Sequence, residues 1–143
     1  MKNFTDGYNC TQSVVLAFED MLPLGHEELA LISSSFGGGM ARLREVCGCV
    51  SGMFMVAGLL YGYSSPEDKD GKIRHYSELQ ALAKKFEDFN GSIVCRDLLK
   101  LVAKHDTPIP DERTAEYYKK RPCAVIIGHA AELLEEYINQ KNG

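Results

Sequence analysis

The chain has 143 residues, of which 45% are hydrophobic and 25% are charged, and its formal net charge is −4. This length fits one domain with a sizeable core, and the composition excludes a chain that stays disordered. The charge excludes the strongly basic surface by which proteins bind nucleic acid.

Helical periodicity dominates the first half of the sequence, and no alternation typical of strands persists. We predict one helix over Asp6–Leu22 and a second over His26–Phe36. The triplet Gly37-Gly38-Gly39 ends the second helix, since successive glycines do not sustain a helix. A loop over residues 37–45 then leads into a glycine-rich helix.

The second half has the same periodicity. A helix start at Ser64-Ser65-Pro66 leads into a helix that runs to Phe89, and shorter helical patterns cover Ile93–Lys104 and Pro122–Asn139. The sequence therefore predicts an all-α fold: residues 1–143 form a single-domain bundle of five or six helices around the glycine-rich central helix.

The central segment, "LREVCGCVSGMFMVAGLLYG" (residues 43–62), has no charge after Glu45. It is nearly long enough to cross a bilayer, but its four glycines dilute its hydrophobicity. We interpret it as an enclosed core helix and expect no membrane span. Gly48/Gly52 and Gly58/Gly62 are each four residues apart, which offers other helices a flat face for close approach.

Five cysteines are the main chemical feature. The N-terminal segment MKNFTDGYNC lacks the apolar stretch of a secretion signal, so we expect a cytoplasmic protein. Because that compartment keeps thiols reduced, the cysteines are better read as redox groups or metal ligands than as permanent disulfides.

Each cysteine falls at or near a predicted helix start, where the positive end of the helix dipole stabilises a thiolate. In Cys47-Gly48-Cys49 a disulfide would be strained, and a strained pair exchanges readily with another thiol. No CxxC motif occurs, so a metal site would have to gather Cys10, Cys47, Cys95 and Cys123 from separate helices.

The order of these cysteines resembles the redox-active protein family named for its C-GCAxxG-C-C pattern. The resemblance lies in "GYNCTQSVVLAF" with Cys10, in "FGGGMARLREVCGCVSGMFMVAGLLYG" with Cys47, Gly48 and Gly52, and in Cys95 and Cys123. It covers nearly the whole chain. It implies a small helical cytoplasmic protein whose functional set is Cys10, Cys47, Cys95 and Cys123. Related segments joined to haem-containing electron-transfer domains imply an iron–sulfur cluster as an alternative.

The chain departs from the family pattern at Cys49, where alanine is usual. We interpret Cys49 as a spectator that fills an alanine-sized site, against the alternatives of a resolving cysteine or a substitute ligand.

Three functions therefore stay open. In the first, the cysteines cycle between dithiol and disulfide, a redox protein is the partner, and Arg44, Arg96 and Arg121 support a thiolate. In the second, the cysteines hold an iron–sulfur cluster or zinc. In the third, the protein is a binding or scaffold module, and the glycine triplet with Arg42 and Arg44 binds an anion. We favour thiol–disulfide exchange or electron transfer, because no compact metal motif exists.

Overall fold

The computed structural model describes residues 2–100, 107–120 and 122–143. Its framework is five helices: α1 (Cys10–Ala17), α2 (His26–Ser33), α3 (Gly48–Tyr61), α4 (Lys69–Asn90) and α5 (Cys123–Asn142). Shorter helical segments cover Lys2–Thr5, Gly37–Met40, Cys95–Leu98 and Ala115–Lys120. Within these ranges there is no strand, and an isolated antiparallel bridge joins Val46 to Val94. The all-α prediction is confirmed.

Helix α3 is the centre of the bundle, because it packs against α1, α4 and α5. Helix α5 also contacts α1 and α4, and α2 covers α1. The largest fully buried apolar side chains come from α1 to α5 and form one cluster: Val14, Val15, Leu29, Val50, Met53, Val56, Phe86, Ile127 and Leu134. The sequence therefore identified the central helix correctly.

No helix in the described part of the chain combines the length and the apolar character needed to cross a bilayer.

Two helix starts differ from the prediction. Helix α1 begins at Cys10 and not at Asp6, because Gly7 has a φ of 107° and the chain turns before Asn9 caps the helix. Helix α4 begins at Lys69, where the Asp68 carboxylate accepts a hydrogen bond from the Gly71 N–H at 2.9 Å. In both cases a side-chain cap sets the start.

The apolar side chains that recur three or four residues apart along α4 are only partly buried. Leu79, Leu82 and Phe86 are buried, whereas Ile73 and Phe89 are 67% and 63% exposed. The buried face is completed by His75 and Gly71, one and two turns before Leu79. The predicted helix over 93–104 is a single turn, Cys95–Leu98, in the described residues, and residues 101–104 lie outside them.

Candidate functional site

Cys10 is the first residue of α1, and its neighbours fix where this helix begins. The Asn9 side chain accepts a hydrogen bond from the Gln12 N–H at 2.9 Å, and the Gln12 side chain accepts one from the Asn9 N–H at 3.1 Å. This reciprocal capping box stabilises the helix N-terminus. The Asn9 amide also donates to the Ser34 carbonyl at 3.0 Å, which ties this end of α1 to the chain after α2.

Gly48 brings the start of α3 against Cys10. Cys47 is the N-cap residue of α3, Gly48 is its first residue and Cys49 its second. A Cβ added at Gly48 would collide with the Cys10 sulfur and with the hydroxyl of Thr11. Only glycine therefore allows the thiols of both helix starts to meet at this point.

The two predicted glycine pairs of α3 behave differently. Gly52, one turn after Gly48, packs so closely against α1 that an added Cβ would lie 2.9 Å from Val14 Cβ. Gly58 is exposed and has no atom within 4 Å of such a Cβ, and Gly62 lies beyond the end of the helix. The flat contact face is thus confirmed for the first pair and wrong for the second.

Main-chain hydrogen bonds hold Cys95 beside the start of α3. The Cys47 N–H donates to the Ile93 carbonyl at 2.7 Å, and the Cys95 N–H donates to the Glu45 carbonyl at 2.6 Å. These bonds flank the bridge between Val46 and Val94. Two chain segments that are far apart in sequence therefore bring Cys47 and Cys95 together.

Arg44 is the buried cation of the site. Arg44 is 4% exposed, and its Nη1 donates a hydrogen bond to Cys95 Sγ at 3.6 Å. Arg96 instead donates to the Arg44 carbonyl at 3.1 Å and pairs with Glu45 at 3.4 Å. Of the three arginines predicted to support a thiolate, Arg44 contacts a sulfur, Arg96 braces the loop, and Arg121 lies outside the described residues.

All five cysteines line one cavity of about 440 Å³. Cys10 and Cys123, the first residues of α1 and α5, are half-buried, and Cys47, Cys49 and Cys95 are buried. All five lie among the described residues, and none forms a disulfide in this structure. The sequence placed each cysteine at a helix start, and the fold brings these starts together.

The Cys49 thiol forms hydrogen bonds with Cys10 and with Cys47, and these bonds affect the acidity of Cys10 and Cys49. A hydrogen bond from the Cys49 thiol lowers the pKa of Cys10 to about 6, although burial opposes this, and the N–H groups of Gly38 and Thr11 add to it. The pKa of Cys49 is raised well above 9.0, because hydrogen bonds to Cys10 and Cys47 and burial of its thiol all favour the protonated form. These shifts favour ionisation at Cys10 over ionisation at Cys49.

The pKa of Cys95 shifts in the direction opposite to that of Cys10. Burial raises the pKa of the Cys95 thiol, although the hydrogen bond and the positive charge of Arg44 oppose the shift. The charges of Cys47 and Cys10 also raise the pKa of Cys95, so the ionisation of Cys95 depends on both of these thiols.

Among the described residues, no group of three or more Cys, His, Asp or Glu side chains is placed to hold one metal ion. The Cys95 sulfur faces the Arg44 guanidinium, and the other contacts are between thiols. A zinc ion or an iron–sulfur cluster would need the thiolates to surround a common point, so we derive no step through a metal.

Comparison with known proteins agrees with the cysteine pattern. The model of the family described as "Putative redox-active protein (C_GCAxxG_C_C)" matches residues 8–137. The chain belongs to this family. No curated protein and no solved structure matches it. In this member of the redox-active family, three of the residues that carried the resemblance, Cys10, Gly48 and Gly52, lie at the contact between α1 and α3.

The expectation that Cys49 is a spectator in a site for alanine stays a prediction. Its thiol is buried and forms hydrogen bonds with Cys10 and Cys47, a position that sequence reasoning did not identify. The available signal was its place as the second residue of a helix whose first residue is a close-contact glycine.

Proposed function

We propose that the protein carries out thiol–disulfide exchange, with Cys10 as the attacking thiolate and Cys49 as the resolving thiol. The observation that supports this is the contact between their sulfur atoms in one cavity, with the pKa of Cys10 lowered to about 6 and that of Cys49 raised. A thiolate is the nucleophile in such exchange, and an attacking thiol works best when its pKa is near the ambient pH. Cys10 is half-buried and Cys49 is 1% exposed, so a substrate meets Cys10 first.

The exchange proceeds in two balanced steps. The Cys10 thiolate attacks one sulfur of a substrate disulfide, a mixed disulfide forms, and the other substrate sulfur leaves as a thiolate. Cys49 then gives up its proton to that thiolate and attacks the Cys10 sulfur, which releases the second substrate thiolate. The protein pair loses two electrons and the substrate disulfide gains them.

Cys47, Cys95 and Cys123 complete the path by which the site is reset. In this proposal Cys47, which forms a hydrogen bond with Cys49, and Cys95, which lines the same cavity, accept the disulfide from the Cys10–Cys49 pair. Cys123 lies on the same cavity wall. A reducing partner protein in the cytoplasm returns the site to the dithiol state in this proposal.

The decisive experiment is anaerobic purification, followed by iron, zinc and sulfide assays and by thiol titration through one redox cycle. We expect two thiols to disappear on oxidation and peptide mapping to find a disulfide between Cys10 and Cys49. Stoichiometric iron with sulfide, or stoichiometric zinc, would replace this proposal by the metal-binding one. Unchanged exchange in Cys10→Ser would show that another thiol is the nucleophile, and no exchange by the unmodified protein would favour the scaffold function.

The role of Cys49 has its own test in the alkylation of Cys10 by iodoacetamide, resolved by peptide mass spectrometry. In the unmodified protein the rate should rise with pH through about 6 and then level off, because Cys10 is ionised above this pKa. Cys49→Ala should move the midpoint towards 9.0, since the largest stabilising hydrogen bond is lost. Cys49→Ser, which keeps a donor, should leave the midpoint near that of the unmodified protein; identical profiles for all three proteins would contradict the proposed pairing.

A further inference from the structure

The charge of the cavity is opposite to that of the molecule. The chain carries a net charge of −4, yet the described charged residues of the cavity wall are three arginines, Arg42, Arg44 and Arg113, and one carboxylate, Asp111. The sum of these described charges stays positive when Cys10 is ionised. A cleft lined mainly by one sign of charge raises the local concentration of ligands of the opposite sign.

The guanidinium groups are held in place before any ligand arrives. Arg42 Nε donates to the Thr107 carbonyl at 2.8 Å, and its Nη1 lies 4.0 Å from Asp111 Oδ2. Arg113 donates to the Phe4 carbonyl at 3.1 Å, and its guanidinium lies 4.5 Å from the centre of the Phe4 ring. Fixed donors on a cavity wall lose little conformational freedom when they meet an anion.

The size of the cavity favours a small molecule over a protein substrate. Its volume of about 440 Å³ lies within the range of small-molecule sites, which is about 300–1,000 Å³. Part of the wall is apolar: Phe4, Leu98, Leu99, Pro108, Pro110 and Ile126. Cys10 lines this cavity, so a disulfide that enters the cavity meets this thiol.

We propose that the cavity binds small disulfides that carry carboxylate groups, and that Arg42 selects them by charge. The inference rests on the proposed exchange function and names its substrate class. The carboxylates lie against the arginine wall, the apolar residues cover the carbon chain, and the disulfide faces Cys10. The chemical step is the two-electron exchange already described: the ligand is reduced to two thiols, and Cys10 and Cys49 are oxidised.

Three disulfides with the same ethylene spacer between sulfur and polar group, and with different charge, test the selection. They are bis(carboxyethyl), bis(hydroxyethyl) and bis(aminoethyl) disulfide. The rate of reaction with Cys10 is measured for each in the full-length protein and divided by its rate with a small neutral thiol. We expect the normalised rate of the anionic disulfide to exceed that of the neutral one by about tenfold and to fall with added salt.

Single substitutions test whether the charged side chains of the cavity wall cause the preference for the anionic disulfide. Arg42→Gln should reduce the preference for the anionic disulfide, and Asp111→Asn should increase it because a competing carboxylate is lost. Lys69→Gln, at the exposed start of α4, removes a charge outside the cavity and should leave the preference unchanged. The opposite responses at Arg42 and Asp111 separate a charge effect from simple misfolding.

The possible failures are distinct. Equal normalised rates for all three disulfides would overturn the charge selection and leave the exchange function standing. Cys10 reacting no faster than the small reference thiol with any of them would overturn the exchange function and this inference together.

Discussion

The site depends at the scale of single residues on the absence of a side chain at Gly48. Its Cα lies where any Cβ would meet the Cys10 sulfur and the Thr11 hydroxyl, and the carbonyl of Phe36 would be 3.0 Å away. None of these neighbours is the end of a flexible surface side chain. The same glycine therefore sets both the approach of α3 to α1 and the contact between the thiols.

Gly48→Ala should lower the free energy of unfolding by about 1–3 kcal/mol, which is the usual effect of overpacking a close contact. The matched control is Gly58→Ala in the same helix, where no atom lies within 4 Å of the added Cβ. That change should raise stability by up to about 1 kcal/mol, because alanine favours the helix. Urea denaturation of both variants measures the difference, and a loss of the same size in both would contradict the packing argument.

At the scale of elements, the chain before α3 forms a left-handed turn. Five successive residues, Gly38 to Arg42, have φ of 69°, 71°, 70°, 51° and 65°, and Arg44 has φ of 60°. The left-handed conformation costs a residue with a side chain about 1–2 kcal/mol. The turn is closed by hydrogen bonds from the Arg42 N–H to Gly37 at 3.3 Å and from the Glu45 N–H to Gly39 at 2.9 Å.

This strained turn positions two groups of the site. It directs the Gly38 N–H towards Cys10 and carries Arg44 to Cys95. Gly39 is further restricted, because a Cβ there would lie 2.6 Å from Cys95 Cβ. Strain of this kind persists where the surrounding structure fixes the backbone, as it does between two cysteine-bearing segments.

Ala41→Gly should therefore stabilise the protein by up to about 1 kcal/mol, because glycine adopts positive φ without a steric penalty. Ala81→Gly on the exposed face of α4 serves as the control and should destabilise by about 1 kcal/mol, since it lies inside a right-handed helix. The free energies of unfolding come from urea titration. If both glycine variants destabilise equally, the turn is not strained at Ala41.

The limits of sequence reasoning follow from the same elements. The positions of cysteines at helix starts were predictable, because caps, prolines and glycines mark those starts locally. The glycine triplet correctly predicted the end of a helix, but a left-handed conformation at Met40, Ala41 and Arg42 has no local signal in residues with side chains. It results from hydrogen bonds and contacts across the loop, which depend on the finished fold.

The contact partners of each glycine were not predictable either. Gly52 and Gly58 occupy similar sequence contexts in α3, yet one faces α1 and the other faces solvent. Spacing gives the face of a helix that small residues share, and only the packing of the neighbouring helices decides which part of that face is covered. For the same reason, the contact of Cys49 with Cys10 emerged only from the structure.

At the scale of the whole molecule, a second polar cluster lies well away from the cysteines. Tyr137 is fourteen residues after Cys123 in α5, which separates them by about 20 Å along the helix. In the described part of the chain, His75 Nδ1, Glu78 Oε2 and the Tyr137 hydroxyl are buried atoms that have no hydrogen-bond partner. Burial raises the pKa of Tyr137 to about 12 and lowers that of His75.

His75 should make the fold sensitive to acid. Burial disfavours the charged imidazole, and the charges of Arg74 and Lys141 act in the same direction, while Glu78 opposes them. The folded-state pKa therefore lies below the unfolded value of 6.5, and the unfolded chain binds a proton that the folded chain does not. The stability contributed by neutral His75 is present above pH 6.5 and is lost as the pH falls through the folded-state pKa.

Urea denaturation at about pH 7 and about pH 5 measures this loss, and replacement of His75 isolates it. His75→Gln should reduce the difference in unfolding free energy between the two pH values, since glutamine does not titrate. Glu78→Gln should increase it, because the one nearby charge that favours imidazolium is removed. The imidazole signals of His75 in NMR spectra should titrate with a midpoint below 6.5; a midpoint above that value would show that a counter-charge, and not burial, dominates this end of the bundle.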